Sequence, residues 1–475
     1  MRLFVLIASL LIAGSSQAQE YARPTVDVPK QWSQPLPASS SHDLDILRDW
    51  WRTFNDSSLT SLVGWAIESN LDLKTALSRV AEARAARGIA GSALKPSFGT
   101  SEGYTRVRGG IAQGLTSITS SGSGPSRSSL ITPTDTEVYQ IGFDSSWELD
   151  LAGGLRKSVK AANADLRAAE YAQKDVRVSV SAEVGRNYML LRGAQRRLAI
   201  LRENIALQED TVRLTEARRN AGLSPELDLI RAHALLGETQ AEAPPIEAEI
   251  DRAAHALAVL VGHSPGDLPR DLILEKPLPD FPKSLVTVAP AEVLLQRPDL
   301  RRSAAEIAAA AARVGVARAD LYPRLTLAGL IGRQATDPSG LTLGIGNFFS
   351  LGPVVRLPLF TGGRIRSNIA VQDARWQQAN LRYEASVLNA LAEVEDALGD
   401  LQREEMRKDQ LRSAEAQNRE AVSLTRELYS KGLGDYLAVL DAQRELLATE
   451  TQLAQSETGV LLDLIRLYKS MGGGW

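Results

Sequence analysis

The sequence predicts an α+β membrane protein with two internal structural repeats, each made of a β-hairpin and long α-helices. Three features of the 475-residue chain predict this architecture. They are an export signal at the start, short motifs that occur twice in the same order, and apolar residues that alternate in some segments and follow a helical period in others.

The composition excludes several classes of function. The 54 basic and 57 acidic side chains leave a net charge of −3, so no overall electric field favours nucleic acid or an acidic substrate. The chain has no cysteine, which excludes disulfides and thiolate metal sites. Its four histidines include no pair at the i, i+4 spacing of a helical zinc site. We therefore expect neither a metal site nor a cofactor.

Residues 1–18 have the form of a secretory signal peptide. A positive charge at Arg2 precedes the apolar stretch Leu3–Ala13, and small residues then allow cleavage after Ala18. No later segment approaches about 20 consecutive apolar residues, the length of a membrane-spanning helix. The exported chain is therefore either soluble or enters a membrane as a β-barrel.

The rest of the chain divides into an arm, two repeats joined by a linker, and a tail. Prolines among serines predict an extended arm, and each repeat then contains a helix, a proline, a non-helical stretch, a double glycine, a long helix, a Gly-Leu turn and a helix. The predicted bounds are 19–58 for the N-terminal arm, 59–262 for the first repeat, 263–290 for an equatorial linker, 291–470 for the second repeat and 471–475 for the tail, with hairpins at about 97–149 and about 324–360.

Paired motifs define the two repeats. The pairs are Asp72-Leu73 with Asp299-Leu300, Leu94-Lys95-Pro96 with Leu321-Tyr322-Pro323, Gly153-Gly154 with Gly362-Gly363, and Gly222-Leu223 with Gly432-Leu433. The first repeat is longer because it has a Gly/Ser/Thr-rich stretch at 109–136, which is typical of a loop tip.

The segments between the proline and the double glycine have the period of β-strands. Apolar residues occupy odd positions in Tyr139–Leu149, whereas Phe98–Arg108 alternates poorly. Each candidate strand has about ten residues, the length that crosses a bilayer at a tilt. The same odd-position pattern occurs at Leu325, Leu327 and Ile331, and at Leu351, Val355, Leu357 and Leu359.

Four such strands cannot close a barrel by themselves, because about eight strands is the usual minimum. Unpaired strand edges are not tolerated in lipid, since their backbone groups would have no hydrogen-bonding partner. Closure therefore requires other copies of the chain. Two copies give eight strands around a lumen filled by side chains, and three give twelve strands around a passage. A conduit needs a passage, so the sequence favours three copies.

Two long segments without proline predict long helices. One runs from Leu155 to about Arg219, and at about 1.5 Å per residue it would be roughly 100 Å long. Its counterpart runs from Arg364 to about Ser430, with apolar steps of the kind that antiparallel coiled coils use. Pro244-Pro245 interrupts the helix that follows the first long one.

Five sequence blocks resemble the TolC-like outer-membrane factor family, in its NodT-type branch, which serves resistance-nodulation-division efflux pumps. Together they span nearly all of the chain after the leader. The blocks are Asn70-Leu71-Asp72-Leu73 onward to Arg84, Trp147 to Gly154, Arg297-Pro298-Asp299-Leu300 onward to Pro323, Leu359 to Arg364, and Gly434 to Arg444.

The resemblance implies a homotrimer with a twelve-stranded barrel in the outer membrane, continued by a long periplasmic α-helical coiled-coil barrel that is closed at its far end. It implies outer-membrane lipid, a periplasmic adaptor protein and an inner-membrane resistance-nodulation-division pump as partners. The expected function is a non-enzymatic exit duct from periplasm to exterior, with a gated aperture that adaptor and pump open. The alternative is the outer-membrane duct of a type I protein secretion system.

The resemblance also implies functional residues at the two turns between long helices. Leu437, Asp441 and Arg444 share one helix face by their spacing. The alternative interpretation is that the glycines only end the helices and that the charged residues are solvated side chains at helix ends. The gate residues are expected to be Asp228, Tyr429, Asp435, Leu437, Asp441 and Arg444, and the adaptor-contacting tips Ala221, Gly222, Leu223, Lys431, Gly432 and Leu433.

The leader departs from the family pattern at one position. Many members have an acylated cysteine where this chain has Ser15 within Ile12-Ala13-Gly14-Ser15. Serine has no thiol for a thioether to lipid, so we expect no lipid anchor. An accidental likeness to that motif is the alternative.

Three other functions fit the sequence less well. A periplasmic coiled-coil scaffold would not need the alternating strand at Tyr139–Leu149. A hydrolase needs an acid, base or nucleophile constellation, and no motif in the sequence provides one, so no catalytic residue is predicted. A constitutively open porin has no use for helices of ~100 Å.

Overall fold

The computed structural model describes residues 26–35, 40–41, 44–108, 135–267, 274–282, 285–341 and 346–475. The predicted signal peptide and Ser15 lie outside these residues, as does most of the glycine-rich stretch at 109–136. Among the residues that the structure describes, no helix is both long enough and apolar enough to cross a membrane.

Helices dominate the described chain, which also has four strands of 10 to 15 residues and two strands of 2 residues. A 3-10 helix occupies Trp50–Phe54. The α-helices are α1 (Leu44–Arg48), α2 (Ser57–Ser69), α3 (Leu71–Ser92), α4 (Gly154–Asn220), α5 (Glu226–Ala241), α6 (Ala243–Leu260), α7 (Pro290–Gln296), α8 (Pro298–Ala319), α9 (Arg364–Ser430) and α10 (Tyr436–Ser470). The strands are β1 (Ser40–Ser41), β2 (Ser97–Arg108), β3 (Asp135–Leu149), β4 (Leu285–Val286), β5 (Arg324–Ala335) and β6 (Asn347–Arg356).

The two long helices lie where the sequence predicted them. Helices α4 and α9 contain 67 residues each. At the start of α4 the Asp150 carboxylate accepts hydrogen bonds from the N–H groups of Leu155 and Arg156, at 3.1 and 2.9 Å, which caps the helix. The double proline acts as predicted, since α5 ends at Ala241 and α6 begins at Ala243 with proline in its first turn.

The start of the chain differs from the prediction. Residues 44–54 are helical, whereas an extended arm was predicted over 19–58. The reason is burial of aromatic side chains, because Trp50 and Phe54 are 0% and 2% exposed, and helical spacing brings both into one core. Of the described residues before them, 26–35 have no regular structure and Ser40–Ser41 form β1. Ser33 donates from both its N–H and its hydroxyl to Glu395.

Backbone contacts divide the chain into two compact units, and each unit takes segments from both of the predicted repeats. The first comprises residues 1–83, 165–307 and 378–475 and contains the larger apolar core. In this core Trp50 stacks on Tyr468 with 5.9 Å between ring centroids. Gly185 permits the approach, because a Cβ there would lie 2.6 Å from Cη2 of Trp50.

The second unit comprises residues 84–164 and 308–377 and contains an antiparallel sheet. In the described chain this sheet has four strands in the order β2-β3-β5-β6, so pairing of β3 with β5 joins the two hairpins. Cross-strand neighbours place Phe143 opposite Ile331 and Ile331 opposite Phe349. The side chains of these three residues are 66%, 61% and 83% exposed. The odd-position residues therefore form one apolar, exposed face, with Gln140 and Asp144 on the other.

One detail of the strand prediction is wrong. Strand β6 ends at Arg356, so Leu357 and Leu359 lie beyond it. Arg356 pairs with Arg324, the first residue of β5, so the residues after Arg356 have no neighbouring strand to pair with. The poorly alternating Phe98–Arg108, expected as a strand of the first hairpin, pairs with β3 along its whole length, because cross-strand partners rather than alternation determine its conformation.

Candidate functional site at the helix turns

The two turns between long helices end in the same backbone motif. In the first turn Gly222 has φ 69° and its N–H binds the carbonyl of Arg219 at 2.9 Å, while Leu223 N–H binds that of Arg218 at 2.9 Å. In the second, Gly432 has φ 72° and repeats both bonds with the carbonyls of Tyr429 and Leu428. This is a Schellman helix end, which favours glycine at the left-handed position.

The turns differ in how the next helix begins. Asp435 caps α10, because its carboxylate accepts from the N–H of Ala438 at 2.9 Å. Pro225 occupies the matching place before α5 and provides no side-chain cap. Asp435, predicted as a gate residue, thus has a helix-capping role in the chain.

Tyr429 lies at the centre of a small core between the turns. It is 2% exposed, and its ring meets that of Tyr436 edge to face at 5.8 Å. The guanidinium of Arg218 lies 4.8 Å from the Tyr429 ring centroid and reaches the carbonyls of Ser430 and Leu223, at 3.4 and 3.5 Å. Arg218 therefore contacts both turns at once.

Asp228 and Tyr429 come together through a third residue. The hydroxyl of Ser224 donates to Oδ2 of Asp228 at 2.7 Å and lies 3.2 Å from the hydroxyl of Tyr429. Burial, followed by the nearby Tyr429 and the charge of Asp228, raises the pKa of Tyr436 to about 12. The Asp228 carboxylate thus accepts a hydrogen bond from Ser224, and its charge also contributes to the raised pKa of Tyr436.

Leu437, Asp441 and Arg444 lie on an exposed face of α10, as their spacing predicted. Leu437 is 47% exposed. Nη2 of Arg444 lies 3.2 Å from Oε2 of Glu238 on α5. Asp441 is exposed, and within the described chain it has no hydrogen-bonding or ion-pair partner. The structure therefore brings Arg444 to Glu238 rather than to Asp441.

The six predicted tip residues are all exposed at the turns. Leu223 and Leu433 occupy equivalent positions after the glycines and are 66% and 74% exposed. Lys431 forms an ion pair with Glu427 one helical turn earlier. An exposed leucine directly follows the left-handed glycine in both turns.

Sequence reasoning missed Ser224, Glu238 and Arg218. Ser224 had a detectable signal, because it stands two residues after Gly222 where the second turn has Gly434. A basic residue in the last turn of a helix is common, so Arg218 had only a weak signal. Glu238 had none, since its role depends on how α5 packs against α10.

The family model described as outer membrane efflux protein matches residues 62–263 and 289–473. The chain belongs to the outer membrane efflux protein family. The matched residues include both turns and every described residue of the candidate site.

Similar proteins agree with this membership. The probable efflux pump outer membrane protein SepC of Pseudomonas putida is 30% identical over 98% of this chain and 95% of its own length. Nodulation protein T of Rhizobium leguminosarum bv. trifolii is 31% identical over 94% of this chain and 92% of its own length. The solved outer-membrane channel OprN is 33% identical with a TM-score of 0.83, covering 96% of this chain and 99% of that one.

This outer membrane efflux protein therefore acts in efflux at the outer membrane. Its family is one of export channels rather than of enzymes. The comparisons favour the efflux function over the protein-secretion alternative. The likeness to the NodT-type branch is also confirmed.

Proposed function

We propose that the protein is the trimeric exit duct of a tripartite efflux system, working without catalysis or a cofactor. Three copies would share a twelve-stranded barrel in the outer membrane, with a helical coiled-coil barrel in the periplasm. A periplasmic adaptor and an inner-membrane resistance-nodulation-division pump would complete the system. The relative SepC is a probable efflux pump outer membrane protein, which supports a pump as a partner of this protein.

The four-stranded sheet with two outer strands carries the proposal. Within the described residues β2 and β6 each pair with one neighbour, so each has an outer edge whose backbone groups need partners. The apolar face with Phe143, Ile331 and Phe349 is exposed in the single chain. Lipid suits such a face but not an open edge, so copies of the chain must pair edge to edge. Three copies give enough strands for a passage.

The helix turns support a gate at the periplasmic end. Tyr429 links to Asp228 through Ser224, and Arg444 pairs with Glu238, so each contact joins the α9–α10 pair to the α4–α5 pair. The unpaired Asp441 and the exposed Leu437 would face other copies. Three Asp441 carboxylates near one axis would repel each other or hold a cation, and nearby Arg444 would tune that field.

The exposed tips support a docking role. Leu223 and Leu433 present apolar surface at the ends of both turns, together with Ala221, Gly222, Lys431 and Gly432. Exposed leucines at a helix end are suited to contact with another protein. We assign these six residues to contact with the adaptor, whose engagement would open the gate.

Conductance across a planar lipid bilayer tests the proposal. The purified protein should insert and give small, uniform conductance steps, and alanine at both Asp441 and Arg444 should raise the single-channel conductance. Unchanged conductance in this double variant would remove the two residues from the gate. A protein that never conducts, under conditions in which it inserts, would contradict the duct itself.

A further inference from the structure

We infer that Ser224 is a positioning residue of the gate, because its hydroxyl connects the phenol of Tyr429 to the carboxylate of Asp228. The contact ties the end of α9 to the first turn of α5. This inference rests on the gate proposed above and names a residue that helps to hold that gate closed.

The direction of the hydrogen bonds follows from counting protons. A serine hydroxyl has one proton, and the Asp228 carboxylate 2.7 Å away can only accept it. The 3.2 Å contact must then use the proton of Tyr429, with Ser224 as acceptor. Two successive hydrogen bonds result: Tyr429 O–H donates to Ser224 Oγ, and Ser224 O–H donates to Asp228 Oδ2. The second bond ends on an ionised group, and such bonds are the stronger class.

The Ser224 hydroxyl has no helix-capping role that would explain these contacts. Helix α5 has Pro225 at its N-cap and no side-chain cap. In the second turn the place of Ser224 belongs to Gly434, where an added Cβ would lie 3.3 Å from Cβ of Leu428. The first turn alone therefore has a hydroxyl at this position.

Among the described residues Tyr429 has one other acceptor within reach, and it is weaker. The Thr215 hydroxyl is 3.5 Å from the phenol and donates its own proton to the carbonyl of Thr211. A bond at 3.5 Å lies beyond the usual range. Loss of Ser224 would leave Tyr429 with this long contact and deprive Asp228 of a donor. The ring would keep its contacts with Arg218 and Tyr436.

Substitution of Ser224, measured by bilayer conductance, tests the inference. We expect Ser224→Ala and Tyr429→Phe each to raise the open fraction at least about fivefold, the factor that one ordinary hydrogen bond represents. The double variant should match the single ones, because both remove the same link. Ser224→Thr keeps the hydroxyl and should behave as the parent.

Ser430→Ala is the matched control. Ser430 also lies at a turn, but within the part of the chain that the structure describes its hydroxyl bonds only to the carbonyl of Glu427 in its own helix, so the open fraction should not change. A melting temperature measured in parallel separates gating from folding, since a merely structural serine would lower it without changing the open fraction.

Three results would overturn the assignment of Ser224. They are an open fraction in Ser224→Ala equal to that in Ser430→Ala, additive effects in the double variant, and a fall in melting temperature alone. If the Asp441 and Arg444 double variant conducts more while Ser224→Ala does not, only the Ser224 link is wrong. If neither variant changes conductance, the gate itself is wrong.

Discussion

Arg444 on α10 forms an ion pair with Glu238 on α5, with 3.2 Å between Nη2 and Oε2. Both side chains are more than half exposed, at 52% and 67%. An exposed pair of this kind stabilises a fold by only about 0–1 kcal/mol. Because it joins two helix pairs, we expect it to affect the separation of those pairs more than the stability of the fold.

Glu238→Gln should therefore change gating more than stability. We expect a higher open fraction at low salt, with the free energy of unfolding altered by less than ~1 kcal/mol. The difference from the parent should shrink near 1 M salt, where the screening length is about 3 Å. Glu457→Gln is the control, because Glu457 pairs with Arg412 away from the turns, at 3.1 Å. Equal open fractions for both variants at low salt would contradict the role of Glu238.

Gln208→Leu should stabilise the protein. Gln208 is 2% exposed, and in the described chain neither polar atom of its amide has a hydrogen-bonding partner. An unpaired buried amide costs about 1–3 kcal/mol, which leucine of similar size avoids. The matched control is Gln195→Leu, since Gln195 is 4% exposed but accepts from Arg192 at 2.7 Å. The melting temperature should rise for Gln208→Leu and fall for Gln195→Leu. A lower melting temperature for Gln208→Leu would contradict this prediction.

Gly185→Ala should destabilise the first unit by about 1–3 kcal/mol. The new methyl group would lie 2.6 Å from Trp50, which is fully buried and cannot move away freely. Gly237→Ala is the control, because, apart from the chain neighbours and backbone of its own helix, no atom of the described residues lies within 4 Å of an added Cβ there. Alanine there should be neutral or stabilising by up to ~1 kcal/mol. Denaturant unfolding distinguishes the two, and equal effects would show that Trp50 is not packed against Gly185.

Asp463 on α10 should make stability depend on pH. Burial, followed by repulsion from Asp400 and Glu404 on α9, raises its pKa to about 6 from the usual 3.8. The folded state then holds this proton more tightly than the unfolded state, so stability falls as pH rises from about 4 to about 6 and stays lower above that. Asp463→Asn should raise the melting temperature at pH 7.5 and leave it nearly unchanged at pH 3.5. An equal gain at both values would exclude titration as the cause.

The long-range organisation was predictable where local signals repeat. Double glycines and Gly-Leu turns gave the ends of α4 and α9, because proline and glycine act on the backbone of their own segment. Leu357 and Leu359 were assigned to a strand that ends at Arg356, since alternation continues past Pro358 while hydrogen bonding does not. The helices at 44–54 were missed because their aromatic residues form a core with residues distant in sequence.

The location of the candidate site residues could be predicted from the sequence, but their side-chain contacts could not. Family motifs located Asp228, Tyr429 and Arg444 at the turns, and the structure has them there. Sequence did not reveal that Ser224 stands between Asp228 and Tyr429, or that Glu238 is the partner of Arg444. Such contacts depend on the rotation and register of packed helices, which no local pattern encodes.

The shared barrel is the central claim, and particle mass tests it most directly. The protein would be extracted from outer membrane in detergent and its mass measured by light scattering, with the bound detergent subtracted. We predict three times the mass of one chain, because three four-stranded sheets close a barrel wide enough for a passage. A particle of a single chain would contradict the shared barrel, and one of two chains would contradict the open passage.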